Sequence, residues 1–298
     1  MSSRRALAAL LVLLLPGCRF GNREQGEHKE RLVSISKQYS EIIYALGAQQ
    51  DLVGVDLSST YPPEIKSLPT VGYHRALAVE GLVSVKPTLI LHDDNIGPEH
   101  VIRQLEQLKI PMKVFATKGE DLASTQKLIT EMGAYFHKEA RAVEVNAKLA
   151  SDLARALQPA PDAGPDQPKP KVMVIHFGQA SNVYLVMTSQ GMAGKMVEWA
   201  GGEMAVKPEG GKGMVQLSPE VVAAADPDVL LLTDFGYDKL GTPEQIKTGL
   251  PGISTTKAAR TGRIYRIEEH DLVYFGPRTG ENILKMQALI HAPAPHAQ

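Results

Sequence analysis

The feature that most constrains this 298-residue chain is an internal repeat. Residues 80–91 read Glu-Gly-Leu-Val-Ser-Val-Lys-Pro-Thr-Leu-Ile-Leu, and residues 220–232 read Glu-Val-Val-Ala-Ala-Ala-Asp-Pro-Asp-Val-Leu-Leu-Leu. In both, a proline (Pro87, Pro227) stands seven positions after the glutamate. A short helix is expected to stop before a proline that cannot continue it, and a buried strand of leucine and β-branched residues to follow. Both strands run into polar loops, at residues 92–95 and 233–238. The segments upstream correspond too: residues 32–36 lead into a helix closing at Ala45-Leu46-Gly47, and residues 171–176 into one closing at Ala200-Gly201-Gly202. Each glycine suits the position just past a helix end. Strands alternating with helices give a mainly parallel sheet covered on both faces. The expected fold class is therefore α/β, with two Rossmann-like lobes and a ligand cleft beyond the carboxyl ends of the strands.

Residues 135–157 are rich in Ala, Glu, Lys, Leu and Arg and contain neither proline nor glycine. They read as one long helix, about 35 Å at 1.5 Å per residue, and thus a stiff single connection between the lobes. The expected organisation is a first lobe at 31–134, a linking helix at 135–158, an exposed Pro/Asp/Gly-rich loop at 159–170, a second lobe at 171–292 and a short tail at 293–298. With 43% hydrophobic residues, the chain is long enough for two separate cores.

Residues 1–18 read as an export signal: Arg4 and Arg5, an apolar run at 6–15, then Leu15-Pro16-Gly17-Cys18. The run is too short to span a membrane. Its end resembles the bacterial lipobox, whose cysteine is lipidated and becomes the mature N-terminus, with Pro16 an unusual occupant. Cys18 is the only cysteine, which excludes a disulfide within the chain and fits an anchor better than a nucleophile. More than one acyl chain would hold the protein at a membrane surface, with residues 19–30 as a polar tether. Cleavage before Cys18 removes Arg4 and Arg5, so Lys+Arg falls from 32 to 30 against 33 Asp+Glu, a net charge of −3. That balance argues against nucleic acid as a partner.

Residues 71–81, Val-Gly-Tyr-His-Arg-Ala-Leu-Ala-Val-Glu-Gly, place a phenol (Tyr73) two positions from a guanidinium (Arg75). A tyrosinate is a hard oxygen donor suited to Fe(III), and a phenol of pKa about 10 ionises near neutrality only beside a cation or on a metal. Most Tyr-x-Arg triplets are surface loops with a solvated arginine, so position decides. Here the triplet falls on a first-lobe loop that should border the cleft. His74 lies between the two residues; on an extended segment it points to the opposite side and reads as a solvent-facing imidazole.

Taken in order, Arg31-Leu-Val-Ser-Ile-Ser36, Ala45-Leu46-Gly47, Asp51-Leu-Val-Gly-Val55, Tyr61-Pro-Pro-Glu64, Leu68-Pro-Thr-Val-Gly72 and Leu250-Pro-Gly252 resemble segments of the periplasmic substrate-binding proteins of ATP-driven importers. The resemblance is to the class with two lobes joined by one long helix, which serves cobalamin, ferric siderophores and haem, and it covers nearly all of residues 31–290. Within it, residues 71–81 and Phe275-Gly-Pro-Arg-Thr279 look like the haem branch. Residues 175–179 and 214–218 depart from the turns usual in that branch, which leaves the second lobe's contacts open.

The resemblance implies Tyr73 as the ligand to haem iron and Arg75 as support for its phenolate. It implies Glu80 and Glu220, equivalent by the repeat, as carboxylates docking on a permease dimer that works with its ATPase, with an outer-membrane haem uptake system upstream. His176, at the end of the first strand of the second lobe, stands open between a second iron ligand, a contact to a second haem and a loop residue. Arg278 is placed between a haem propionate and a local salt bridge. Phe235, Tyr237 and Tyr274 stand between stacking on a porphyrin and plain apolar packing. Binding without catalysis is the reading; no Gly-x-Ser-x-Gly elbow, phosphate loop or His-Glu-x-x-His helix occurs. The alternatives are a ferric-siderophore or cobalamin carrier, a zinc carrier using His74, His92, His100 and His176, and an envelope haem-degrading or sensing enzyme.

Overall fold

The computed structural model describes residues 30–158, 168–178, 181–208 and 210–295. The export signal, Cys18, the tether to residue 29 and most of the loop expected at 159–170 lie outside the described residues. The first sheet opens with β1 (Leu32–Ile35), buried along its whole length, followed by α1 (Lys37–Leu46). The Ser36 side chain caps α1 by accepting from Tyr39 N, and Gly47 closes it in the left-handed conformation at φ 69°, as its glycine suggested. Then come β2 (Leu52–Val55), a hairpin of β3 (Gly72–Tyr73) and β4 (Ala76–Leu77), α2 (Val79–Ser84), β5 (Leu89–His92), α3 (Glu99–Gln107) and β6 (Met112–Lys113). β2, β1, β5 and β6 pair in that order, all parallel.

Two helices follow, α4 (Leu122–Tyr135) and α5 (Glu139–Ala156). The single helix expected from residue 135 is thus broken at 136–138, where His137 takes φ 54° and Lys138 N bonds back to Gly133 O. Close packing explains the break: a Cβ on Gly133 would fall 2.5 Å from the Ala142 Cβ. The chain turns there so that α5 lies against α4, at about 27 Å long rather than 35 Å.

The second sheet begins with β7 (Lys171–Gly178). After it come β8 (Val183–Met187), α6 (Met192–Trp199), β9 (Glu203–Met204), β10 (Met214–Gln216), α7 (Pro219–Ala225), β11 (Val229–Thr233), α8 (Asp234–Leu240), α9 (Pro243–Gly249), α10 (Lys257–Thr261), β12 (Ile264–Ile267) and α11 (Thr279–Ile290). Its order is β10-β8-β7-β11-β12, with β9 also on β7. β7, β9, β11 and β12 are parallel, whereas β8 pairs antiparallel with both β7 and β10. The sequence suggested a direct passage from β7 into a helix; β8 intervenes. The repeat itself is present: α2, Pro87 and β5 correspond to α7, Pro227 and β11.

One hydrophobic cluster takes in Leu32 and Leu91 of the first sheet, Leu149 and Leu153 of α5, Val172 and Leu231 of the second sheet, and Ile283 and Met286 of α11. The lobes therefore share a continuous core along α5 and α11, and a smaller cluster fills the outer side of each sheet.

Candidate ligand cleft

The carboxyl ends of the two sheets face each other. Lys37, at the start of α1, donates through Nζ to Glu269 Oε1 at 2.9 Å, and Glu269 Oε2 lies 3.3 Å from His176 Nδ1. Burial disfavours the charged Glu269, but the His176 and Lys37 contacts outweigh it and hold its pKa down to about 2 from 4.5. Beside this contact, a cavity of about 290 Å³ is lined by Asp56, Thr60 and Lys66 from the first half and by Phe235, Arg266 and Glu268 from the second. Burial, with Glu268 adding to it, lifts the Asp234 carboxyl in the same wall to about 6 from 3.8.

Tyr73 sits on the β3–β4 hairpin, paired with Ala76 across a two-residue turn of His74 and Arg75. The hairpin is fixed at the end of β2, since Leu57 N donates to Gly72 O at 2.8 Å, and against the next loop, since Gly97 N donates to His74 O at 2.8 Å. The Tyr73 ring is half-buried, and its hydroxyl has no hydrogen-bond partner among the described residues. Arg75 is exposed and donates through Nε to Asn95 Oδ1 at 3.0 Å.

His74 corrects the expectation of a solvent-facing ring: it is 8% exposed. Its Nδ1 lies 3.4 Å from Asp56 Oδ2 and 3.3 Å from Ser58 Oγ. The turn breaks the extended alternation, so its ring packs on Tyr73 with centroids 4.3 Å apart. Burial alone would raise the Asp56 carboxyl; hydrogen bonds from His74, Ser58 and Ser59 hold it below its ordinary value.

Arg278 and Tyr274 come together in a buried network centred on Glu41 of α1. Arg278 Nη2 lies 3.0 Å from Glu41 Oε2 and 2.9 Å from Asp271 Oδ1, and its guanidinium stacks 3.3 Å above the Tyr61 ring. His270 Nε2 is 2.8 Å from Glu41 Oε2, and the Tyr274 hydroxyl donates to the same oxygen at 2.9 Å. Of the alternatives weighed for Arg278, this is the local salt bridge. Burial opposes the Glu41 charge, yet His270 and Arg278 bring its pKa down to about 2 from 4.5. Burial and the neighbouring Glu41 push the Tyr274 phenol well up. Sequence reading missed Glu41, Asp56, His270 and Asp271. The signal for Glu41 lay in α1: an acid between Tyr39 and Ile42-Ile43, on a helix face that must be buried, needs a cation.

Glu80 and Glu220 are exposed second residues of α2 and α7, at equivalent places in the repeat. A hydrogen bond from Ser218 lowers the Glu220 carboxyl. Phe235 is half-buried in the cavity wall, and Tyr237 is half-buried against the outer cluster of the second sheet. His92 ends β5 and is buried, and His100 lies on α3. Among the described residues, no group of three or more His, Cys, Asp or Glu is arranged to hold a metal ion, and no helix is long and apolar enough to cross a membrane.

The periplasmic binding protein family model matches residues 32–270. Among solved structures, the periplasmic heme-binding protein RhuT of Roseiflexus sp. RS-1, in its apo form, superposes with a TM-score of 0.77 at 33% identity, covering 88% of this chain and 98% of that one. The periplasmic heme-binding protein BhuT, in complex with two hemes, gives a TM-score of 0.74 at 27% identity over 88% of this chain and 97% of its own. Among curated proteins, the uncharacterised ABC transporter substrate-binding lipoprotein YvrC of Bacillus subtilis is 25% identical over 264 residues, 88% of this chain and 80% of that protein.

Proposed function

We propose that this chain, which belongs to the periplasmic binding protein family, captures haem between its lobes and delivers it to an ATP-driven importer. The observation that carries the reading is Tyr73: a half-buried phenol with an unpartnered hydroxyl among the described residues, held on a hairpin fixed at the carboxyl end of the first sheet. The likeness to haem-binding structures supports the choice of ligand. In this reading Tyr73 coordinates Fe(III) as a phenolate, with the exposed Arg75 guanidinium two positions away as a nearby positive charge. His176, across the cleft, lies with Nδ1 3.3 Å from Glu269 Oε2 and is not required as a second ligand. Phe235 and Tyr237 offer apolar surface on the second lobe. Arg278 and Tyr274 serve to join the lobes through Glu41.

Glu80 and Glu220, matched and exposed, are the carboxylates that meet the permease, and Cys18 is the membrane anchor that keeps the carrier in the cell envelope. Binding, with no covalent chemistry, is the whole activity. Purified protein titrated with hemin is expected to show a high-spin ferric spectrum, and Tyr73→Ala to weaken binding at least about 10-fold, since a lost ligand costs no less than a lost supporting contact. Unchanged affinity in that variant rejects the assignment. Tighter binding of cobalamin or a ferric siderophore in competition moves the reading to a sister substrate, and turnover of bound haem to a verdin with a reductant makes the protein an enzyme.

A further inference from the structure

We propose that Asp56 and His74 are a positioning pair for Tyr73: the buried carboxylate fixes the imidazole, and the imidazole fixes the angle at which the phenol meets its ligand. The inference rests on the haem reading and adds to it two residues outside the iron contact. Tyr73 has little of its own to orient it, because its strand is two residues long and its hydroxyl has no partner among the described residues. Its ring lies against that of His74, with centroids 4.3 Å apart and the planes tilted by 56°.

His74 is in turn tied down. Its Nδ1 lies 3.4 Å from Asp56 Oδ2, a carboxylate whose side chain is fully buried. Asp56 accepts from Ser58 N at 3.0 Å, from Ser59 Oγ at 2.5 Å and from Ser58 Oγ. Ser59 Oγ lies 3.0 Å from Ser40 Oγ, which donates to Ser34 Oγ of β1 at 2.9 Å. A line of polar contacts thus runs from the central strand of the first sheet, through α1, to the ring beside Tyr73. Metal ligands are commonly oriented by an outer layer of hydrogen-bonded groups, and losing one member typically costs about 10–100-fold in affinity. A histidine present only to fill space would have no need of a desolvated carboxylate, which is costly to bury unless its partners use it.

Three variants of the full chain test the pair: His74→Phe, Asp56→Asn and the double substitution. His74→Phe keeps a ring against Tyr73 and removes the link to Asp56. Titrated with hemin, it is expected to bind about 10-fold more weakly. The rhombicity of its high-spin ferric paramagnetic resonance signal and its charge-transfer band should also shift, with the thermal midpoint close to the parent's. Asp56→Asn should do the same, and the double variant no more than either alone, because one link is broken in each. Parental affinity and spectrum in His74→Phe overturn the proposal, as do additive losses in the double variant. If Asp56→Asn fails to fold, His74→Phe decides alone. Tyr73→Phe separates this from the underlying reading: a hemin spectrum unchanged by that substitution removes Tyr73 as ligand, whatever the other variants do.

Discussion

At the scale of residues, what matters is how few atoms fix Tyr73. Gly72 precedes it at φ 120°, a region that L side chains rarely adopt, and its C=O accepts from Leu57 N. A Cβ there would meet nothing closer than 3.8 Å, so Gly72→Ala isolates backbone strain from crowding. The variant should lose roughly 1–3 kcal/mol in urea unfolding. A loss near zero would mean that the hairpin relaxes without cost. Glu41 makes a second residue-scale prediction. Its folded pKa of about 2 lies below the ordinary 4.5, so the folded state binds its proton less readily than the unfolded chain. The stability it contributes is complete above about pH 4.5 and is lost as pH falls toward 2. Glu41→Gln should flatten that acid limb in urea midpoints measured against pH. At pH 7 it should cost roughly 3–5 kcal/mol, because Arg278 loses one of its two buried counter-charges and keeps only Asp271.

At the scale of elements, the helices that join the two halves pack through glycine. A Cβ on Gly280 of α11 would fall 2.5 Å from the backbone carbon of Asp152 in α5, and backbone cannot swing aside as a side-chain tip can. Gly280→Ala is therefore expected to push α11 off α5 and cost roughly 1–3 kcal/mol, read as a lower thermal midpoint. Gains from better helix propensity are too small to offset that. Which elements the sequence disclosed follows from the same physics. Strands such as β5 and β11 follow a proline and are apolar up to their last residue, His92 or Thr233, so composition and punctuation agree. The break at 136–138 carries no such mark: Phe136, His137 and Lys138 are tolerable helix residues, and the turn exists because Gly133 admits Ala142. The β3–β4 hairpin, two residues to a strand, is too short for any periodicity to register. His74 was misplaced for that reason, since an extended segment and a tight turn send the same side chain to opposite surroundings.

At the scale of the molecule, the two sheets were legible as separate repeats, but their union was not, because it is made by residues distant in sequence. Glu41 with Arg278, Lys37 with Glu269, and Gln38 with the Phe275 carbonyl all cross between the halves. The main hydrophobic cluster crosses with them along α5 and α11. Lobes built this way should not unfold independently. Calorimetry of the ligand-free protein is expected to show one transition whose calorimetric and van't Hoff enthalpies agree, whereas two separable peaks would mean that the shared core contributes little. Ligand then adds to the same transition by mass action. Hemin at about 100 times its dissociation constant should add about 2.7 kcal/mol to the folded state and raise the single midpoint. In Tyr73→Ala the rise at equal hemin should shrink while the midpoint without hemin stays near the parent's, because under the proposed function the half-buried phenol meets the ligand rather than the core. A parental rise in that variant would place the dominant haem contact elsewhere in the cleft, and a lower midpoint without hemin would make Tyr73 a structural residue of the hairpin.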